Sequence, residues 1–588
     1  MLARRSTFIR SAALLAALLV GCAPNPTAAP ATSPAEVASP TEAVAPTDAP
    51  AAATEATTVS GPASEKVLNY ASINNSFTPN FNPFTGVNAL VPTVKGIYEP
   101  LMIYNTLKAE MVPWLADSYA WSDDYLTITF TLHPGIKWSD GEDFTAEDVV
   151  FTFNLIKNTP GLQGSGATAM GGAVDSVSAP DAGTVVFTLK AVNTESIYDI
   201  VNQDIVPEHI WKDVADPAKF PNEDPVGTGP FTEVTDFQPQ VYQVDKNPNY
   251  WQPGLPKFNG FRVTAYSGNE AQIAAWVQGQ IDYAGTVMPN IDEAVIANNP
   301  EISYVYPPAN QTVILNLNTT LKPFDDPIVR KAMSMALDRE QMVAVALNGK
   351  AVPGDVTGLS GAFSAWKVAD VSSLGDWTTY NPEKAGQMLE DAGYKLGVDG
   401  FRTLPDGTPI AVKLTMVQGF TDWISAGEIM IQNWKDIGIN VETNMIDAGA
   451  FFGSLPMGDY QMALWFGWPS PTPYTQYVNT MSTLTVAPAG QFSMVNFAKF
   501  GSTDADELLA TFAGTADEAE KKQAGYDLQA LFAEQAPVIP LWAGNDWAIY
   551  NNANFTGWPT RENNYSYGFP NGGNTPEWLI VLTTIAAR

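Results

Sequence analysis

"KWSDGEDFTAEDVVF", Lys137 to Phe151, holds a turn, a helix cap and the opening of an amphipathic helix in one short run. Asp140-Gly141 is a turn signal, because glycine enters the left-handed backbone region of a tight reversal without a Cβ clash. Thr145 with Asp148 three residues on has the pattern of a capping box, in which the hydroxyl accepts from the first turn and the acid reaches back to the cap. That spacing predicts a helix from about Ala146 to Lys157. Just upstream, "YLTITFTL" alternates with period two and predicts a strand.

Reading outward, "KVLNYASIN" alternates like a strand, "FTPNFNPFTG" reads as a loop, and "LVPTVKGIYEPLMIY" as a helix running into a strand. Asp224-Pro225 and Gly227-Thr228-Gly229-Pro230 form a rigid turn. "DPIVRKAMSMALDREQMVAVAL" reads as one amphipathic helix with Val329, Met333, Ala336, Leu337 and Met342 on its apolar turns and Pro327 in the first. The two Asp-Gly pairs of "LGVDGFRTLPDGTPIAVKLTMV" predict hairpins. "GLQGSGATAMGG" is glycine-rich without a dinucleotide fingerprint and reads as a surface loop.

The Lys137–Phe151 run closely resembles the signature of family 5 solute-binding proteins, the dipeptide, oligopeptide and nickel group of ABC importers. The resemblance continues in order through "VSAPDAGTVVFTL", "IVPEHIW", "PVGTGPF", "KNPNYWQPGLPKFNGFRV", "ILNLNTTLKPFDDPIVRKAMSMALDRE", "YNPEKAGQMLEDAGY" and "APVIPLW", from Lys66 to about Asn552. It implies a two-lobed α/β periplasmic-binding-protein fold (type II, cluster C-like) with an extra inserted domain and a ligand cleft between the lobes. Carried onto this chain, lobe I comprises about 66–104, 225–312 and 541–588, the inserted domain about 105–224, and lobe II about 313–540. "TVILNLN" and "APVIPLW" are then the hinge strands. The implied partners are an ABC permease with its ATPase subunits, and the implied state is a monomer that closes over its ligand.

At 588 residues the chain exceeds one hydrophobic core, and its net charge of −32 repels nucleic acid and anionic membrane surfaces. One cysteine, Cys22, leaves no intrachain disulfide or thiolate metal site, and two distant histidines, His133 and His209, give little for a metal or a catalytic triad. No P-loop, nucleophile elbow, zincin or CxxC motif is present, so neither enzyme chemistry nor a cofactor is expected. Arg4, Arg5 and Arg10 precede an apolar run of about ten residues, which fits a secretory signal over 1–21 and is too short to span a bilayer. Leu19-Val20-Gly21-Cys22 resembles the bacterial lipobox, which implies lipidation of Cys22 and an extracytoplasmic protein tethered to the outer face of the cell membrane. Residues 22–65 follow as an Ala/Pro/Thr-rich disordered linker.

Ligand class turns on one segment. A buried peptide ammonium needs a counter-charge, and the resemblance places an aspartate for it in lobe II, shortly after a Gly-Trp pair. Here that place in "ALWFGWPSPTPYTQYVNTM" falls on Pro469, Ser470 or Pro471, and no acid occurs between Asp459 and Asp504. Aromatic rings stand instead: Trp465, Phe466, Trp468, Tyr474 and Tyr477. Their faces suit the C–H face of a neutral sugar. Trp468, at the exit into the proline-rich loop, is the stronger ligand candidate, whereas Trp465 and Phe466 continue a strand and read equally well as core. Gly557-Trp558-Pro559 and Asn563-Asn564-Tyr565 resemble the tail of the family's cello- and manno-oligosaccharide binders. Asn74, Asn75, Asn82, Gln418 and Asp422 beside Trp423 are candidate polar partners. The expected ligand is a neutral oligosaccharide. The alternatives are an oligopeptide or dipeptide on the same fold, and a secreted glycosidase with aromatic subsites.

Overall fold

The computed structural model describes residues 67–588 except 87–88, 307, 489, 546 and 568–575; the signal, Cys22 and the linker lie outside the described residues. The strand Val67–Ile73 lies inside a seven-stranded mixed sheet, ordered Ile302–Val305, Ala548–Asn551, Tyr283–Ala284, Val67–Ile73, Gly260–Tyr266, Val241–Lys246, Phe231–Gln238. Its period-two alternation divides the packing: Leu68 and Tyr70 enter one core, Ala71 the core on the opposite face. A six-stranded sheet contains Pro308–Leu317 and Ile539–Asn545 side by side, with Met462–Trp465, Ala411–Val417 and Asn440–Ile446 beyond them. It carries a separate core running from Ile314 to Trp542. The molecule is thus two-lobed, and the chain crosses out and back through those two adjacent antiparallel strands.

The strand expected in "YLTITFTL" runs Thr127–Leu132, with Ile128 and Phe130 buried, inside a four-stranded antiparallel sheet. The core under this sheet is continuous with that of the first lobe. The capping box forms as its spacing dictates: Thr145 Oγ1 accepts from the Glu147 N–H at 3.3 Å, and the Asp148 carboxylate accepts from the Thr145 N–H at 2.9 Å. The helix runs Ala146–Asn158. At the return turn, glycine is required by backbone contact: a Cβ on Gly229 would stand 2.2 Å from the Gly96 carbonyl.

Three local readings are corrected. The expected Asp326–Leu347 helix is two, Pro327–Met335 and Arg339–Ala346. Asp338 caps the second by accepting from the Gln341 N–H, and the buried Arg339 donates to the Ser334 and Pro540 carbonyls, interactions a continuous helix would forgo. The glycine-rich stretch is not a loop but contains the helix Ser165–Gly171, whose Gly166 N–H donates to Gln203. The Asp-Gly turns at Gly400 and Gly407 do form, with φ of +83° and +89°, but they are flanked by isolated bridges, and regular strand begins only at Ala411.

Candidate functional site

The two lobes meet along a cleft bridged by side chains from both. Asn269 Nδ2 donates to Thr421 Oγ1 at 3.0 Å, and the backbones approach closely at Gly268 and Gly419. Lys350 Nζ pairs with Asp292 at 2.7 Å. The most buried bridge joins the four-stranded body to the second lobe. Glu195, 6% exposed, receives Lys521 Nζ at 2.8 Å and the Thr472 hydroxyl at 2.5 Å, while Lys521 also donates to Thr194 Oγ1 at 2.7 Å.

On the second-lobe side, Phe420, Trp423, Phe466, Trp465 and Trp468 form a continuous aromatic run; neighbouring centroids are 5.4, 4.7, 5.7 and 6.3 Å apart. Trp423, distant in sequence, therefore joins the segment singled out there. Exposure within the run reverses the sequence expectation for its two tryptophans. Trp468 is 9% exposed and packs on Phe497, because Gly467 adopts φ +82° and lays the chain against Thr312 of the hinge strand. Trp465 and Phe466 are half-buried. Among the described residues, the Trp465 indole N–H has no partner, nor have the Asn316 amide and the Thr312 hydroxyl, which share its face of the sheet.

Tyr474 is half-buried against Phe512, and burial with Glu195 and Asp199 nearby raises its pKa. Trp558 lies instead in the first-lobe core, stacked on Tyr550 at 4.6 Å with its indole N–H given to the Asn551 carbonyl. Tyr565 folds beside it and donates to the Gly557 carbonyl. Asn82 is fully buried; it donates to the Pro217 and Phe220 carbonyls and accepts from the Phe84 N–H, so its amide shapes the loop and is withdrawn from the ligand candidates. Asn74 is exposed and caps a turn through the Asn75 N–H. Gln418 is exposed. Asp422, adjacent to the bridging Thr421, is pushed up to about 7 by burial.

Glu195 and Asp199 were not singled out in the sequence; they stand at and within a short helix. Ser196–Val201 is that helix, with Ile197, Ile200 and Val201 buried within their own body. Glu195 and Asp199 are spaced i, i+4 and share the opposite face, toward Thr472 and Tyr474. Among the described residues, no three His, Cys, Asp or Glu side chains are grouped as a metal site requires, and no helix is long and apolar enough to cross a membrane.

The family model for bacterial extracellular solute-binding proteins, family 5, matches residues 110–487. A glutathione-binding protein, GsiB of Pectobacterium atrosepticum, is 27% identical over 506 residues, covering 84% of this chain and 91% of that protein. Among solved structures, a periplasmic oligopeptide-binding protein of Thermotoga maritima with bound mannohexaose superposes at TM-score 0.81 with 26% identity, over 89% of this chain and 99% of that one. The oligopeptide-binding protein AppA of Bacillus subtilis, in complex with a nonapeptide, shares the fold at TM-score 0.75 with 22% identity, over 89% and 98% of the two chains.

Proposed function

Because this chain belongs to the family 5 bacterial extracellular solute-binding proteins, we propose that it captures a neutral oligosaccharide between its lobes and delivers it to an ABC permease. The observation that carries the ligand class is the Trp465–Tyr474 segment. It offers aromatic faces and no acid, and the acid that reaches it from the facing body, Glu195, is already occupied by Lys521 and Thr472. A peptide ammonium docked on these rings would find no acid within the segment and a Glu195 that is already paired, whereas a sugar needs only ring faces and hydrogen-bonding groups. The mannohexaose-bound Thermotoga protein supports the same class. The reading includes no covalent chemistry: lobe closure buries the ligand, and affinity follows from stacked area and satisfied hydroxyls. Loss of a linear oligosaccharide to shorter products on prolonged incubation would instead favour a glycosidase.

A thermal-shift panel tests the class. Manno- or cello-oligosaccharides at about one hundred times their Kd are expected to stabilise the protein by about 2.7 kcal/mol, and di- to tetrapeptides not at all. The reverse pattern would move the assignment to peptides, the reading favoured by the 27% identity with a glutathione-binding protein. We place the protein on the outer face of the membrane through a lipid on Cys22. Cys22→Ser in the expressing cell is expected to shift it from the membrane to the soluble fraction; unchanged membrane retention would remove the anchor from the reading.

A further inference from the structure

The two glycines at the lobe contact hold equivalent places in their own lobes. Gly268 follows the strand Gly260–Tyr266, which runs parallel to Val67–Ile73, and opens the helix Asn269–Val277. Gly419 follows the strand Ala411–Val417, which runs parallel to Asn440–Ile446, and precedes the helix Thr421–Asp436. Turns beyond the carboxyl ends of parallel strands are the ones that face ligand in α/β sheets. Here the two turns meet main chain to main chain, and a side chain on either would crowd the other lobe. A Cβ on Gly419 would stand 3.0 Å from the Ser267 carbonyl oxygen; a Cβ on Gly268 would stand 3.3 Å from the Gly419 carbonyl oxygen and 3.6 Å from its Cα.

The reason for glycine differs between the two positions. Gly419 has φ +93°, which its own backbone reserves for glycine. Gly268 has φ 167° and ψ −176°, extended backbone open to any residue. It is also the N-cap of its helix, where Ser, Asn or Asp would serve at least as well. The three atoms nearest its missing side chain all belong to Gly419. Glycine at 268 thus answers to the facing lobe rather than to its own.

We propose that Gly268 is a positioning residue for ligand capture, and that its main-chain contact with Gly419 is the stop that ends lobe closure. The hydrogen bond from Asn269 to Thr421, immediately beside the contact, fastens the lobes at that stop. Phe420, the residue after Gly419, opens the second-lobe aromatic run, so the stop fixes how near that run comes to the first lobe. Each lobe is packed too densely to yield far locally, so a side chain at 268 is accommodated by turning the whole lobe outward. A gap of about 0.5–1 Å forfeits roughly a quarter to a half of the dispersion attraction across an apolar contact. The inference rests on closure over a ligand, as proposed above, but not on that ligand being a sugar.

Gly268→Ser and Gly268→Asn test the stop on the full chain, because both keep the helix cap. Their unliganded melting temperatures are expected to equal or exceed that of the wild type. Binding of mannohexaose, cellopentaose and tetra-alanine is then followed by titration and by dissociation rate. For each probe that the wild type binds, Gly268→Asn is expected to weaken binding by about tenfold or more, through faster dissociation, and Gly268→Ser by less. Small-angle scattering at saturating probe is expected to show Gly268→Asn less compact than the wild type. Unchanged affinity in Gly268→Asn overturns the stop, as does a liganded Gly268→Asn protein as compact as the wild type. A melting temperature lowered in step with affinity also overturns it, since glycine would then serve the fold of the first lobe. Should the wild type bind tetra-alanine and neither oligosaccharide, with the same graded loss in the variants, the stop stands and the oligosaccharide reading falls alone.

Discussion

Trp468→Ala is expected to destabilise the second lobe by about 3–5 kcal/mol, the range for truncating a buried tryptophan, and to lower that lobe's melting temperature by roughly 6–20 °C. The ring is 9% exposed and wedged among Trp465, Phe497 and the hinge strand, so removing it opens a cavity that the backbone at Gly467, held against Thr312, has little freedom to close. Trp465→Ala should behave differently. Its ring is half-buried, so its truncation removes less packing; as a stacking face it should cost about 2 kcal/mol or more in ligand binding, a loss of about thirtyfold. The paired measurement is melting by calorimetry and affinity by titration on both variants. A Trp468→Ala protein that melts like the wild type and no longer binds would reverse the two roles.

Glu195→Ala carries the second large effect, and it falls on closure rather than on folding. The mutation leaves Lys521, with a side chain 15% exposed, without its carboxylate in a closed interface. Breaking such a buried pair costs about 3–5 kcal/mol where the remaining charge stays buried. Here the ammonium regains water when the lobes open, so the closed form bears the cost, and ligand affinity should fall by about a hundredfold with the unliganded melting temperature nearly unchanged. Lys521→Met alone should weaken binding for the mirrored reason. Glu195→Leu with Lys521→Met should recover part of the loss, since apolar residues can replace a buried pair at little net cost. Wild-type affinity in Glu195→Ala would show that the bridge forms without governing closure.

What could be read from the sequence was the chemistry that acts within a few residues. The Thr145 capping box, the Pro327 helix start and the alternating strands Val67–Ile73 and Thr127–Leu132 depend on local spacing, and the chain obeys it. The break between the two helices after Asp326 escaped notice because its cause is remote: Arg339 reaches the Pro540 carbonyl and Asp338 meets Asn433. The cleft follows the same division. Aromatic density around Trp465 was visible as composition, and Trp423 joined it as a neighbour in space. Burial of Trp468 depends on a left-handed Gly467 meeting Thr312, a contact without a local signature. Glu195 pairs with a lysine 326 positions away.

The two strands that carry the chain between lobes, Pro308–Leu317 and Ile539–Asn545, are hydrogen-bonded to each other and interrupted by register shifts near residues 308–314. Mechanically they form one ribbon, soft to bending and twisting but stiff to sliding of one strand past the other. In the proposed closure each lobe would travel on a fixed arc, and every opening would present the same two rims in the same relative order. The permease proposed above would then gauge the angle between the two rims as a measure of cargo, without touching the cargo itself. The same stiffness would bring Glu195 and Thr472 back into register on every stroke.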